Sequence, residues 1–127
     1  MYILKTTDFF TKDAINKALY DKNLITSIAD ECSENQKLFA IYNTHYKIEF
    51  CFAENDTLHY LMIEEAECKE RKSTNQCEFV DDIDFFSKKF NEIATVFRTK
   101  TVGNDLVIGN ALIHFEEENV DSLYYFP

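Results

Sequence analysis

The sequence predicts an α+β fold in a single domain, residues 1–127. It consists of an antiparallel sheet of about five to six strands, with a central meander over 38–63, packed against an N-terminal helical region and a helix near 82–99. Three observations carry this. Tyr46 to Phe52 alternates apolar residues with Lys47, Glu49 and Cys51, the two-residue period of a strand with one wet and one dry face. Ile83, Phe86, Phe90, Ile93 and Phe97 recur at intervals of three and four, the period of a helix with one buried stripe. The chain of 127 residues is 46% hydrophobic, with two glycines and one proline, so it can bury a core but is too short for two domains of ordinary size.

In chain order, Tyr2 to Leu4 is a possible short strand, and Thr7 or Thr11 can cap a helix with Ala14, Ile15, Ala18 and Leu19 on one stripe. Leu24, Ile25, Ile28, Ala29 and Cys32 form a second apolar set, so 12–33 reads equally as one helix or as two divided at Asn23. Leu38 to Tyr42 and Leu58 to Ile63 flank the alternating strand, and the polar connections between them are short enough for a meander. A turn at Asn55 and Asp56 pairs Ile48 with Ile63, Phe50 with Leu61, Lys47 with Glu64, and Phe52 with His59. Glu64 to Glu78 reads as a fraying strand end and an exposed loop.

Asp81 or Asp82 supplies the N-cap of the helix that follows, and Arg98 and Lys100 sit at its far end, as the macrodipole prefers. The phenylalanines of that helix are expected to be core anchors. Gly109-Asn110 suits a two-residue hairpin between Leu106 to Ile108 and Ala111 to Phe115, or else one bulged strand crosses the glycine. Ser122 to Phe126 closes the chain as a candidate edge strand.

Charge is the one functional signal. Twenty-three acidic against 13 basic residues give a net charge of −10, unevenly spread: beyond Lys100 there are five acids and no lysine or arginine. Such a chain repels nucleic acid and anionic membrane surfaces and attracts cationic partners. No signal peptide or membrane anchor is read at the N-terminus, so the protein is expected to be cytoplasmic and its four cysteines free thiols. High Lys over Arg, with many Asn and Phe, suggests an AT-rich genome, typical of many bacteria and their mobile elements.

Motifs for chemistry are missing. Neither glycine lies beside a Ser or Cys, no phosphate loop or dinucleotide fingerprint is present, and His45, His59 and His114 have no ligand spacing. The expectation is therefore no enzyme, no cofactor and no metal. Asp81 to Asp84 has a capping duty, whereas Glu116-Glu117-Glu118 has no evident local one, and three adjacent like charges repel.

The expected function is an acidic binding protein that neutralises a basic protein partner, such as an immunity protein blocking a nuclease-type bacterial toxin. Its partner-binding residues would be Glu116, Glu117, Glu118 and Asp121, with Glu64, Glu65, Glu67 and Tyr124. Two alternatives stand beside it: a phage nucleic-acid mimic (anti-CRISPR or anti-restriction), and a small-molecule-binding or enzymatic α+β domain with a sheet–helix pocket near His59.

Overall fold

The computed structural model describes residues 2–11, 15, 38–43, 45–53, 58–66 and 77–127. Two sheets are present among them. Strands β2 (Leu38–Tyr42), β3 (Tyr46–Phe52), β4 (Leu58–Glu65), β6 (Lys100–Val102), β7 (Asp105–Ile108), β8 (Ala111–Glu116) and β9 (Asn119–Tyr125) form an antiparallel sheet in the order β2-β3-β4-β9-β8-β7-β6. Strands β1 (Tyr2–Lys5) and β5 (Cys77–Val80) make a separate parallel pair. The fold is thus mostly β: among the described residues the antiparallel sheet has seven strands instead of about five to six, and the parallel pair is additional. The one α-helix of these residues, α1, is short (Phe90–Val96).

The seven-stranded sheet is two meanders joined edge to edge. The meander β2–β3–β4 has the expected register: Ile48 opposes Ile63, Phe50 opposes Leu61 and Lys47 opposes Glu64. A bulge at Cys51/Phe52 then shifts the pairing, so that Phe52 faces Leu58 and His59 is exposed instead of closing the dry face. The second meander, β6–β7–β8–β9, turns at Gly109-Asn110 as a hairpin, and β9 is hydrogen-bonded to β8 on one side and β4 on the other. The last strand is therefore central, not an edge. Its alternation explains why it can be: Leu123 and Tyr125 are fully buried on the inner face, while Tyr124 and Ser122 lie on the outer one, Tyr124 partly exposed and Ser122 buried between Glu64 and His114.

Inner-face side chains Phe39, Ile41, Ile48, Phe50, Leu61, Ile63, Leu106, Ile113 and Phe115 are all buried, and the second layer packs on them. Among the described residues that layer consists of the β1/β5 pair, the 3-10 turns Thr6–Phe10 and Phe85–Ser87, α1, and the buried Ile15. Aromatic edges knit it to the sheet. Phe9 meets Phe79 and Tyr125 with ring centroids 5.9 and 6.3 Å apart, and Phe79 meets Tyr46 at 4.9 Å. Ile15 is the one described residue of the helical region expected over 12–33; the rest of that region lies outside the described residues. The described N-terminus before it is strand and 3-10 turn.

The helix expected near 82–99 is also corrected. Asp81 directs its carboxylate forward onto the chain: Oδ1 accepts from Phe85 N–H at 2.8 Å and from the Thr6 hydroxyl at 2.7 Å, and Oδ2 accepts from Phe86 N–H at 2.9 Å. Neither Asp81 nor Asp82 is the N-cap residue expected there: the N-cap is Asp84 for the three-residue 3-10 turn and Lys89 for α1, but the Asp81 carboxylate does accept from the first two N–H groups of the 3-10 turn. Asp84 is left-handed (φ 56) and Lys88 extended (ψ 151), so the turn stops before α1 begins. The apolar stripe still packs inward, with Phe86 and Ile93 buried and Ile83, Phe90 and Phe97 against the core. Phe85, outside the stripe, is fully buried as well.

Asp81 thus fastens the N-terminal turn to the segment that carries α1. Asp81→Ala leaves the buried Thr6 hydroxyl and two backbone N–H groups without their acceptor, and is expected to cost about 2–4 kcal/mol in denaturant unfolding. Asp82→Ala, which releases only the exposed Thr7, is expected to cost under about 1 kcal/mol. Equal losses would mean that Asp81 is not the fastening.

Cys77 is fully enclosed, and burial, aided by the nearby Glu78 charge, pushes its thiol up to about 12. An unfolded thiol ionises near 9. Between these values the unfolded chain holds fewer protons than the folded one, so stability falls as pH rises from about 9 to about 12 and is unaffected below. Urea unfolding under reducing conditions at pH 8, 9, 10 and 11 should show a steeper decline for the wild type than for Cys77→Ala. Parallel declines would contradict it.

Candidate functional site

Glu116, Glu117 and Glu118 form the tip of the β8–β9 hairpin. Glu116 pairs with Asn119, leaving a two-residue turn, and Glu117 sits in the left-handed region at φ 58. That conformation costs a residue with a Cβ roughly 1–2 kcal/mol, which is why such turns usually hold Gly or Asn. All three side chains are exposed, and none is in an ion pair among the described residues.

The tip is nonetheless anchored. Phe90 N–H donates to the Glu118 carbonyl at 2.9 Å, Lys89 bridges Asn119, and the Phe90 and Phe115 rings meet edge to face at 4.9 Å. Between α1, the hairpin tip and the Gly103-Asn104 turn lies an open cleft of about 470 Å³. Phe90 and Phe115 line its apolar part, Glu92, Glu117 and Glu118 its acidic part, and Lys89 is the one cation among the described residues that line it. An apolar wall under three carboxylates suits the stem and head of a long cationic side chain.

The outer sheet face continues from the tip. Along it, the cross-strand row Lys47–Glu64–Ser122–His114 runs to Asp105, next to His114 on β7. Lys47 Nζ lies 3.4 Å from Glu49 and 3.5 Å from Glu64. Burial lowers the Lys47 pKa, but these two carboxylates outweigh it and the net shift is upward. His114 Nδ1 is 2.9 Å from Asp105 Oδ1, and its Nε2 is 4.0 Å from Asp121 Oδ2. Asp121 is the extra residue of a bulge, since Phe115 pairs with Val120 and His114 with Ser122.

The next row, Glu49–Met62–Tyr124–Leu112–Val107, is apolar apart from Glu49. Tyr124 stacks on Phe126 (5.9 Å, 9°), and Tyr60 stands edge-on to Tyr124 at 5.8 Å. The Tyr60 hydroxyl donates to Glu49 Oε2 at 3.0 Å, and burial, with this hydrogen bond and the Glu49 charge, raises its pKa far above the ordinary phenol value.

Of the residues expected to bind a partner, the hairpin brings Glu116, Glu117, Glu118 and Asp121 together, and Glu64 and Tyr124 share the outer face with Glu116 and Asp121. Glu65 does not join them: it pairs with Tyr46, whose ring packs into the inner layer against Phe79 and Phe86. Glu67 lies outside the described residues. Glu49, Glu92, Asp105, Tyr60 and Phe126 join the surface without having been expected as partner contacts. The alternation in β3 and β4 already placed Glu49 and Tyr60 on the wet face; Glu92 had no signal beyond being an exposed helical acid. The cleft is also remote from the pocket expected near His59, which is an exposed residue at the β4 bulge. Among the described residues, no group of three or more His, Cys, Asp or Glu is placed to hold a metal ion. No protein-family model, no curated protein and no solved structure matches the chain.

Proposed function

We propose that this protein binds and neutralises a basic protein partner, in the manner of an immunity protein that blocks a nuclease-type bacterial toxin. The observation that carries the reading is Glu117. A glutamate occupies a left-handed turn position between two further glutamates, at a tip where glycine would be less strained and neutral residues would repel less. Strain kept at an anchored, exposed acidic tip is accounted for if the tip meets positive charge. A nucleic-acid-cleaving toxin presents such charge in its substrate groove, and carboxylates flanked by aromatic anchors can occupy it.

Affinity capture of the full chain from its native lysate, followed by reconstitution with the purified captured protein, tests this. The expected result is a stoichiometric complex with one basic protein, whose activity is lost on binding. Capture of no basic protein, or a complex that leaves the partner active, contradicts it.

Glu117→Gly separates strain from binding. Relief of the left-handed strain, less the added chain entropy, should raise folding stability by up to about 1 kcal/mol, while association with the partner slows. A variant that is both more stable and bound as fast as the wild type would deny Glu117 a part in recognition.

A further inference from the structure

The outer face of the seven-stranded sheet is divided into two halves. Passing along β4 from Tyr60 through Met62 to Glu64, and along β9 from Phe126 through Tyr124 to Ser122 and Asp121, the surface changes from aromatic to acidic. Along β8 from Leu112 through His114 to Glu116, and along β7 from Val107 to Asp105, the surface changes from aliphatic to polar and acidic. Each step of two residues is about 7 Å, so both halves fall under one extended segment or helix of a partner.

The aromatic half is not a closed core. Phe126 is 42% exposed, and Tyr60 and Tyr124 are partly exposed. Among the described residues the charge around it is net negative: Glu49, Glu64, Asp105, Asp121 and Glu116 stand against Lys100 and against Lys47, which lies between Glu49 and Glu64. A second copy of this chain would bring the same acidic face against itself and be repelled.

We infer that this face is the docking surface for an arginine-bearing basic segment of the partner, with a guanidinium lying on the Tyr60–Tyr124–Phe126 rings beside the Glu49 carboxylate. The inference rests on the function proposed above and adds to it a second contact area and the kind of cation that it selects. A planar guanidinium can stack on a ring while its in-plane N–H groups reach a carboxylate; a compact ammonium matches only the charge. The parallel Tyr124 and Phe126 rings lie beside the Glu49 carboxylate, which Tyr60 and Lys47 fix in place through one oxygen each and which keeps a second lone pair on each oxygen for a guanidinium N–H.

Deca-arginine and deca-lysine peptides, equal in charge, are the probes, titrated into the full-length protein at about 150 mM salt with aromatic NMR shifts and Kd as readouts. Deca-arginine is expected to bind ~10-fold more tightly and to shift Tyr60, Tyr124 and Phe126. Phe126→Ala and Tyr124→Ala should remove the preference for arginine, and Tyr124→Phe should keep it. Phe126 is exposed at the end of the strand, so its variant tests the surface even if Tyr124→Ala weakens the sheet. Equal affinities for the two peptides, or a preference that survives Phe126→Ala, overturn the inference. If the captured partner depends on Glu116 to Glu118 but not on Tyr124 or Phe126, this surface is rejected and the proposed function stands. If no basic protein binds at all, both fall.

Discussion

Gly109→Ala is expected to destabilise the fold by about 2–5 kcal/mol, combining left-handed strain with a steric clash. Gly109 has φ +56 in the turn between β7 and β8, and a Cβ there would run into the Phe10 carbonyl oxygen. That carbonyl is backbone at the end of the first 3-10 turn, so it cannot swing aside as a side-chain tip would. The Phe10 ring is also held, 5.8 Å from Phe85 and 5.6 Å from Phe97. Relief would require the N-terminal turn to lift from the hairpin. Gly103 is the internal control, because it has almost the same φ (+61) but nothing within 4 Å of where a Cβ would lie. Gly103→Ala should therefore cost only the conformational part, about 1 kcal/mol. Chemical denaturation of both variants measures the difference; equal losses would show that the contact with Phe10 carries no energy.

The second large effect concerns binding. Replacing Glu116, Glu117 and Glu118 together by lysine changes the tip charge by six units where the hairpin is pinned to α1, so neighbouring chain cannot shift to hide it. Association with a basic partner is expected to slow on the order of 10–100-fold, because long-range attraction acts on encounter. Glu78→Lys, exposed on β5 of the other sheet, should slow it far less. Glu65→Lys should resemble Glu78→Lys, since its partner Tyr46 faces the inner layer. Surface plasmon resonance on the captured partner compares all three, with circular dichroism confirming that each variant is folded.

The local half of this architecture was legible in the sequence. Strict alternation in Tyr46 to Phe52 and the apolar matches across a short turn were enough to set the β3/β4 register, because a slip of one residue would have exposed Ile48 and Phe50. The bulge at Cys51/Phe52 was not legible, since inserting a single residue leaves the apolar pattern nearly intact, and the position of His59 follows from that bulge. Strand order was beyond reach for another reason. Alternation in Ser122 to Phe126 says which side chains face inward but not which strands flank them, and β9 became the seam between two meanders instead of an edge.

The helix is shorter than its periodicity suggests because Ile83, Phe86 and Phe90 keep helical spacing through a 3-10 turn and a break at Lys88. The Asp81 carboxylate that ties Thr6 to Phe85 and Phe86 was visible only as a capping residue. For the candidate site, the acidic tip was readable as charge without local duty. Its strain, its anchor on Phe90 and the aromatic strip beside it depend on neighbours far away in sequence, such as Phe90 for Phe115 and Tyr60 for Tyr124.

The proposed function makes a fixed negative surface the feature that draws in a positively charged protein. The most direct test is the association rate constant of the wild-type chain with its captured partner between about 50 and 500 mM salt, where the screening length falls from above roughly 10 Å to a few ångströms. The expected result is an association rate that drops steeply with salt while the dissociation rate changes little, and a triple-lysine variant whose slower association falls much less steeply as salt is added. An association rate indifferent to salt, or identical in the wild type and the triple-lysine variant, would contradict it.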